Sequence, residues 1–141
     1  FSASLVPAAV FLFGAFISFS TGSSWGTFAI MMPLAIPMAH AFGIPFYIAV
    51  GAVLSGGLFG DHCSPISDTT ILSSTGAGCG LVEHIKTQLP YAAVNGTIAF
   101  IAYIITGLTG SEAALGFAVI GLIVVMAVLN RISAARLAGK E

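Results

Sequence analysis

The first long apolar run of this chain, from Ser4 to Phe19, does not end in a charged loop. It ends in Ser20-Thr21-Gly22-Ser23-Ser24-Trp25-Gly26-Thr27, and a second apolar run, Phe28 to Phe42, begins at once. A break made of hydroxyls and glycines has no charge to hold it in water. At membrane depth such a backbone is tolerated only where protein or a watery cavity satisfies it. The whole sequence has the same character: 57% of its residues are hydrophobic and 6% are charged, against about 25% charged in a soluble domain. A chain this poor in charge cannot cover a water-facing surface, so most of it faces lipid or other protein. The class implied is an all-α polytopic membrane protein with the lipid bilayer as its main partner. A net charge of −1 leaves no basic patch for nucleic acid.

The 141 residues leave room for four or five passes of roughly 20 residues each. The chain opens on Phe1 without a basic n-region, and we read it as the C-terminal part of something longer. Gly43-Ile44-Pro45 is a turn, because Gly and Pro both stop helices. The third run, Phe46 to Phe59, places Gly56 and Gly60 at a spacing that lets another helix approach closely. A polar segment at 60–70 interrupts it, and the helix resumes to about Ala77. Gly78 to Gln88 reads as a wet loop. Leu89 to Leu108 and Ala113 to Leu129 are plain spans joined by a turn at Thr109 to Glu112, and 130–141 is a polar tail. Lys86, Arg131, Arg136 and Lys140 fall on one side, which the positive-inside rule makes cytoplasmic, the C-terminus included. The first two runs are short for spans, at about 15 residues each. Segment 1–42 is therefore expected as a re-entrant hairpin with its tip at 21–27, and 46–79 as one broken transmembrane helix. Two full spans over 1–42 preserve the same parity.

The chemistry centres on Asp61 and Asp68, each set in apolar helix near the middle of a pass. A carboxylate at a helix centre costs about 2.5–3.5 kcal/mol on insertion scales, so intramembrane acids read as functional. Pro65 lies between them, removing a backbone donor and biasing Ser64 away from helix. Both acids are expected to line the unwound segment, with Ser64, Ser67 and Thr69 as oxygen donors; capping the next helix is the structural alternative, above all for Asp68. Hard cations take oxygen ligands, and transporters hold Na+ with unwound carbonyls and half-helix ends. A carboxylate that binds Na+ or a proton, but not both strongly, is the simplest device for exchanging them, and burial favours its neutral form. Thr21, Gly22, Ser23 and Ser24 form a second oxygen-rich break that is expected to meet the first. His62, beside Asp61, is a candidate proton relay or a plain pocket-lining residue. His62, Cys63, Cys79 and His84 have the atoms for zinc, but their spacing matches no common zinc module. Ser64, His62 and Asp61 lack the strand–elbow context of a hydrolase, so no enzyme is expected. The two cysteines read as packing residues.

Gly60-Asp61-His62-Cys63-Ser64-Pro65-Ile66-Ser67-Asp68-Thr69-Thr70-Ile71-Leu72-Ser73-Ser74 resembles the NhaC-type Na+/H+ antiporter family. So do Ser20 to Thr27 and Lys86-Thr87-Gln88-Leu89-Pro90-Tyr91, in the family's order. The resemblance implies a secondary transporter built from two inverted repeats, each with a re-entrant hairpin and a broken helix. This chain would then be the second repeat and its trailing helices. It implies as partner the remaining N-terminal half of the same transporter, leaves a homodimer open, and places the protein in the cell membrane. Na+ and H+ are then transported ions, with Na+ at Asp61 and Asp68, and no cofactor is expected. Acidic and His residues often follow the family's second Cys, whereas here Gly80-Leu81-Val82 comes first. The family also resembles, more loosely, malate/lactate exchangers, and a Na+/H+-coupled organic-acid exchanger is the alternative reading. A non-transporting helical subunit fits two intramembrane acids poorly.

Overall fold

The computed structural model describes residues 3–111 and 113–138, and every regular element in them is helical. After a 3-10 turn at Ala3–Leu5 come α1 (Val6–Thr21), α2 (Ser24–Ala41), α3 (Phe46–Cys63), α4 (Asp68–Gly76), α5 (Leu81–Thr109) and α6 (Ala113–Ala138). Among the described residues, three stretches are long and apolar enough to cross a membrane: Ala3–Thr21, Phe46–Cys63 and Leu81–Thr109. Large apolar side chains such as Phe13, Phe16, Leu34, Leu72, Phe117 and Ile123 lie on the outside. An exterior of that kind suits lipid or further helices, not water.

Small residues bring α1 and α3 together. A Cβ on Gly56 would strike the Phe11 carbonyl, and one on Gly60 would strike the Ala15 carbonyl and the Phe19 amide. Further along, Ser64 Oγ donates to the Phe19 carbonyl at 2.8 Å, and Gly22 abuts Ile66. Residue numbers rise together on both sides of this contact, so α1 and α3 run parallel and end at the same level. α2 returns between them, its Phe28 ring packed against Gly57. The core joins Val6, Val10 and Phe11 of α1, Met31, Ala35 and Ala39 of α2, and Ala49, Ala52 and Val53 of α3. From α5, Tyr103 and Phe100 reach Phe11 with ring centroids 5.6 and 6.3 Å away, and Tyr103 shares a 2.7 Å hydrogen bond with Ser55.

Several expectations from the sequence need correcting. With its leading 3-10 turn, the first run is 19 residues long and long enough to span, so shortness does not favour a re-entrant hairpin there. The open tip shrinks from 21–27 to Gly22 and Ser23. Ser23 Oγ accepts the Gly26 amide at 3.2 Å and caps α2, so Ser24 to Thr27 already form its first turn. The wet loop at 78–88 is a connection over 77–80: Glu83, His84 and Lys86 belong to α5, a helix of 29 residues. That is about 43 Å at 1.5 Å per residue, longer than the roughly 30 Å hydrocarbon core, which leaves length for Glu83, His84 and Lys86 outside a span. The polar tail begins as helix, because α6 continues to Ala138. Glu112, the Arg136 side chain and Lys140, which entered the turn and orientation expectations, lie outside the described residues, as do Phe1, Ser2 and the end of the tail.

Candidate functional site

Pro65 and its neighbours make the break. α3 stops at Cys63; Ser64 turns extended (φ −78, ψ 128), its amide still donating to the Asp61 carbonyl at 3.0 Å. Pro65 has no amide to continue the ladder. α4 starts at Asp68 behind Ser67, which is extended at φ −66, ψ 135. Ser67 stands where a capping hydroxyl usually bonds the new helix, yet it makes no cap bond. Its hydroxyl instead donates to Asp61 Oδ1 at 2.8 Å, while Thr69 Oγ1 donates to Asp61 Oδ2 at 2.9 Å. The two hydroxyl oxygens are themselves 2.7 Å apart. Asp61 is 1% exposed and Ser67 fully buried.

These four oxygens close a ring with a shortage of protons. Three contacts at hydrogen-bond distance need three protons, and the two hydroxyls bring one each. With both donating to the carboxylate, nothing bridges the 2.7 Å contact. A proton on Asp61 completes the ring by freeing one hydroxyl to donate to the other. A cation drawn to the lone pairs of both hydroxyls and the carboxylate completes it as well.

The other expected residues divide around this cluster. Ser64, also buried, faces the hairpin: its bond to the Phe19 carbonyl ties the break to the end of α1. Gly22 sits on the same seam in the left-handed conformation (φ 66), its amide donating to the Ser18 carbonyl at 2.8 Å, and a Cβ there would lie 2.7 Å from the Ile66 carbonyl. The two breaks thus meet through backbone. The tip hydroxyls are engaged locally, Thr21 Oγ1 with the Ile17 carbonyl at 2.9 Å and Ser23 Oγ with Gly26. Ser24 is buried. Asp68 does not join Asp61: it is exposed on the first turn of α4, and its Oδ1 accepts the Thr69 amide at 2.8 Å. His62 is exposed and lines a cavity of about 630 Å³ between α3, α5 and α6, beside Asn95 and Tyr103. Trp25 is 80% exposed, edge-on to Phe28. Cys63 and Cys79 are free. Among the described residues, no group of three or more His, Cys, Asp or Glu is placed to hold a metal ion.

The Thr70 hydroxyl, one of the oxygens that the sequence sets around the acids, and the Ser18 hydroxyl, which sequence reasoning missed, are buried without a partner among the described residues. Ser18 sits in the apolar run that forms α1, where a lone serine reads as a small packing residue. The sequence carries no signal for it; the structure sets it three residues after Ala15 and one before Phe19, whose backbone receives Gly60.

No solved structure matches this chain. Over 92 residues it is 36% identical to the malate-2H(+)/Na(+)-lactate antiporter of Bacillus subtilis, covering 65% of this chain and 18% of that protein. Over 108 residues it is 34% identical to the arginine/ornithine antiporter ArcD of Halobacterium salinarum, 74% of this chain and 22% of the other. Over 91 residues it is 35% identical to the Na(+)/H(+) antiporter NhaC of Alkalihalophilus pseudofirmus, 64% of this chain and 20% of the other. The chain thus spans 18–22% of the length of these relatives. The sequence model of the Na+/H+ antiporter family matches residues 1–108, which take in the parallel helices, both breaks and the ring at Asp61. The chain belongs to the Na+/H+ antiporter family.

Proposed function

We propose that this chain forms the ion-binding end of a secondary transporter exchanging Na+ for H+, with Asp61 taking the two ions in turn. The ring of Asp61, Ser67 and Thr69 carries this reading, because one proton or one cation completes it, and a proton on the carboxylate removes the charge that draws the cation. Exchange follows from that exclusion: a site emptied of Na+ on one side resets only by accepting a proton on that same side and carrying it back. Asp68, on the exposed first turn of α4, draws cations toward the break without holding them in the ring. Ser64 and Gly22 keep hairpin and break together, and a rocking of this bundle against the remaining N-terminal half exposes the site alternately. Two parallel helices ending at one level in two facing breaks suit a re-entrant hairpin meeting a broken helix at mid-membrane, as one of two inverted repeats. Lys86 and Arg131 occupy the same end of the α5–α6 pair, which would place the C-terminus in the cytoplasm of a multi-pass cell-membrane protein. A homodimer is compatible with this arrangement.

A second reading has a specific observation behind it: the relative named for malate and lactate is as similar as the one named for Na+ and H+ alone. In that reading the ring is the co-ion site and an organic acid binds elsewhere. The test is collapse of a preset ΔpH in inverted vesicles carrying the full-length parent. Collapse on adding NaCl alone, lost in Asp61→Asn, is the expected outcome. Collapse that requires malate or lactate moves the protein to the exchanger class, and full exchange in Asp61→Asn removes the ring from the mechanism.

A further inference from the structure

Ser18 is fully buried in α1, and its hydroxyl has no hydrogen-bond partner among the described residues. That is unusual for a serine in a helix, which readily turns its hydroxyl to the carbonyl one turn back. Ser20 and Thr21, on the same helix, do so at 2.8 and 2.9 Å. A buried polar group left unsatisfied calls for an explanation. The register of the parallel pair supplies one. Ala15 and Phe19 clasp Gly60, and Phe19 again receives Ser64, so Ser18 falls at the level of residues 60–64, where Asp61 closes the ring with Ser67 and Thr69.

We propose that Ser18 is a further oxygen ligand of the cation site, supplied by the hairpin to the ion held at Asp61. This rests on the reading of Asp61 as the exchanged-ion site and adds a residue outside both breaks. The ring offers a cation oxygens from α3, the break and α4 only; a hard cation takes more oxygens than a carboxylate and two hydroxyls present, and Ser18 brings one from α1. A proton needs no such ligand, because the ring accommodates it alone. Ser18 therefore favours Na+ over H+ at a site where the two compete, and makes cation binding depend on the hairpin lying against the break.

The experiment uses the full-length transporter with Ser18→Ala, Ser18→Cys and Asp61→Asn, reading the Na+ concentration for half-maximal exchange at fixed pH and the Na+-induced rise in Tm of purified protein, with choline as control. Ser18→Ala removes the oxygen without adding bulk. Ser18→Cys keeps a weak donor of similar size but replaces oxygen with soft sulfur, a poor ligand for a hard cation. The expected result is a half-saturating Na+ concentration raised about tenfold or more in both variants, a smaller Na+-induced rise in Tm, and no fall in Tm without Na+. An unchanged Na+ dependence in Ser18→Ala overturns the proposal. So does a loss confined to the Na+-free Tm, which marks a packing role. Exchange retained in Asp61→Asn sinks the site reading itself, whereas exchange lost there but unaltered in both Ser18 variants sinks only the assignment of Ser18.

Discussion

Gly22→Ala is expected to uncouple the hairpin from the broken helix while leaving the helices themselves intact. Gly22 has φ 66, a conformation that costs a residue with a Cβ about 1–2 kcal/mol. The new methyl would also lie 2.7 Å from the Ile66 carbonyl oxygen and 2.9 Å from its carbon, where ordinary contact begins at 3.4 Å. The obstacle is backbone, which no rotamer change moves aside. The seam opens instead, breaking the Ser64–Phe19 hydrogen bond, worth about 1 kcal/mol. Strain and separation together come to about 2–3 kcal/mol, roughly a 30- to 150-fold fall in the population of the closed seam. Half-maximal exchange in inverted vesicles should then need correspondingly more Na+, with the α-helical circular dichroism unchanged. Gly22→Asn separates the two causes, because Asn tolerates the left-handed region but still carries a Cβ. Exchange restored by Asn would refute the close approach between the tip and Ile66, and full activity in Gly22→Ala would refute the seam altogether.

Gly60→Ala should be worse, because its Cβ collides with the α1 backbone at both Ala15 and Phe19; little folded protein is expected in detergent by size-exclusion chromatography. Asp68→Asn should raise the half-saturating Na+ concentration by less than about tenfold while Asp61→Asn abolishes exchange, since Asp68 is exposed and bonded to its own helix amide. Tyr103→Phe removes the Ser55 hydrogen bond but keeps the ring on Phe11, so Tm should fall by the equivalent of about 1 kcal/mol, with the Na+ dependence of exchange unaltered.

The uncharged break at 20–27 and the acidic one around Pro65 were legible in the sequence because lipid tolerates so few such features. The division of labour between Asp61 and Asp68 was not. It depends on which way the chain turns at Ser64 and on Ser67 leaving its capping position for a carboxylate six residues back, and spacing does not encode that choice. Ser24 to Thr27 looked like loop because small polar residues favour breaks. They joined α2 because Ser23 supplies its cap. Glu83, His84 and Lys86 looked wet, and all three lie on the first two turns of a helix longer than the membrane needs. The parallel pairing of α1 with α3 was foreshadowed only by the spacing of Gly56 and Gly60, which announces a close neighbour without saying which helix it is.

Asp61, as proposed, holds one proton or one Na+, never both. This exclusion is tested most directly by adding Na+ to the purified full-length transporter in weakly buffered solution, near the pH where exchange is half-maximal, and recording the pH. Na+ should displace protons and acidify the solution, choline should not, and the signal should vanish in Asp61→Asn. Saturable Na+ binding with no proton released, or a release that survives in Asp61→Asn, would contradict the exclusion.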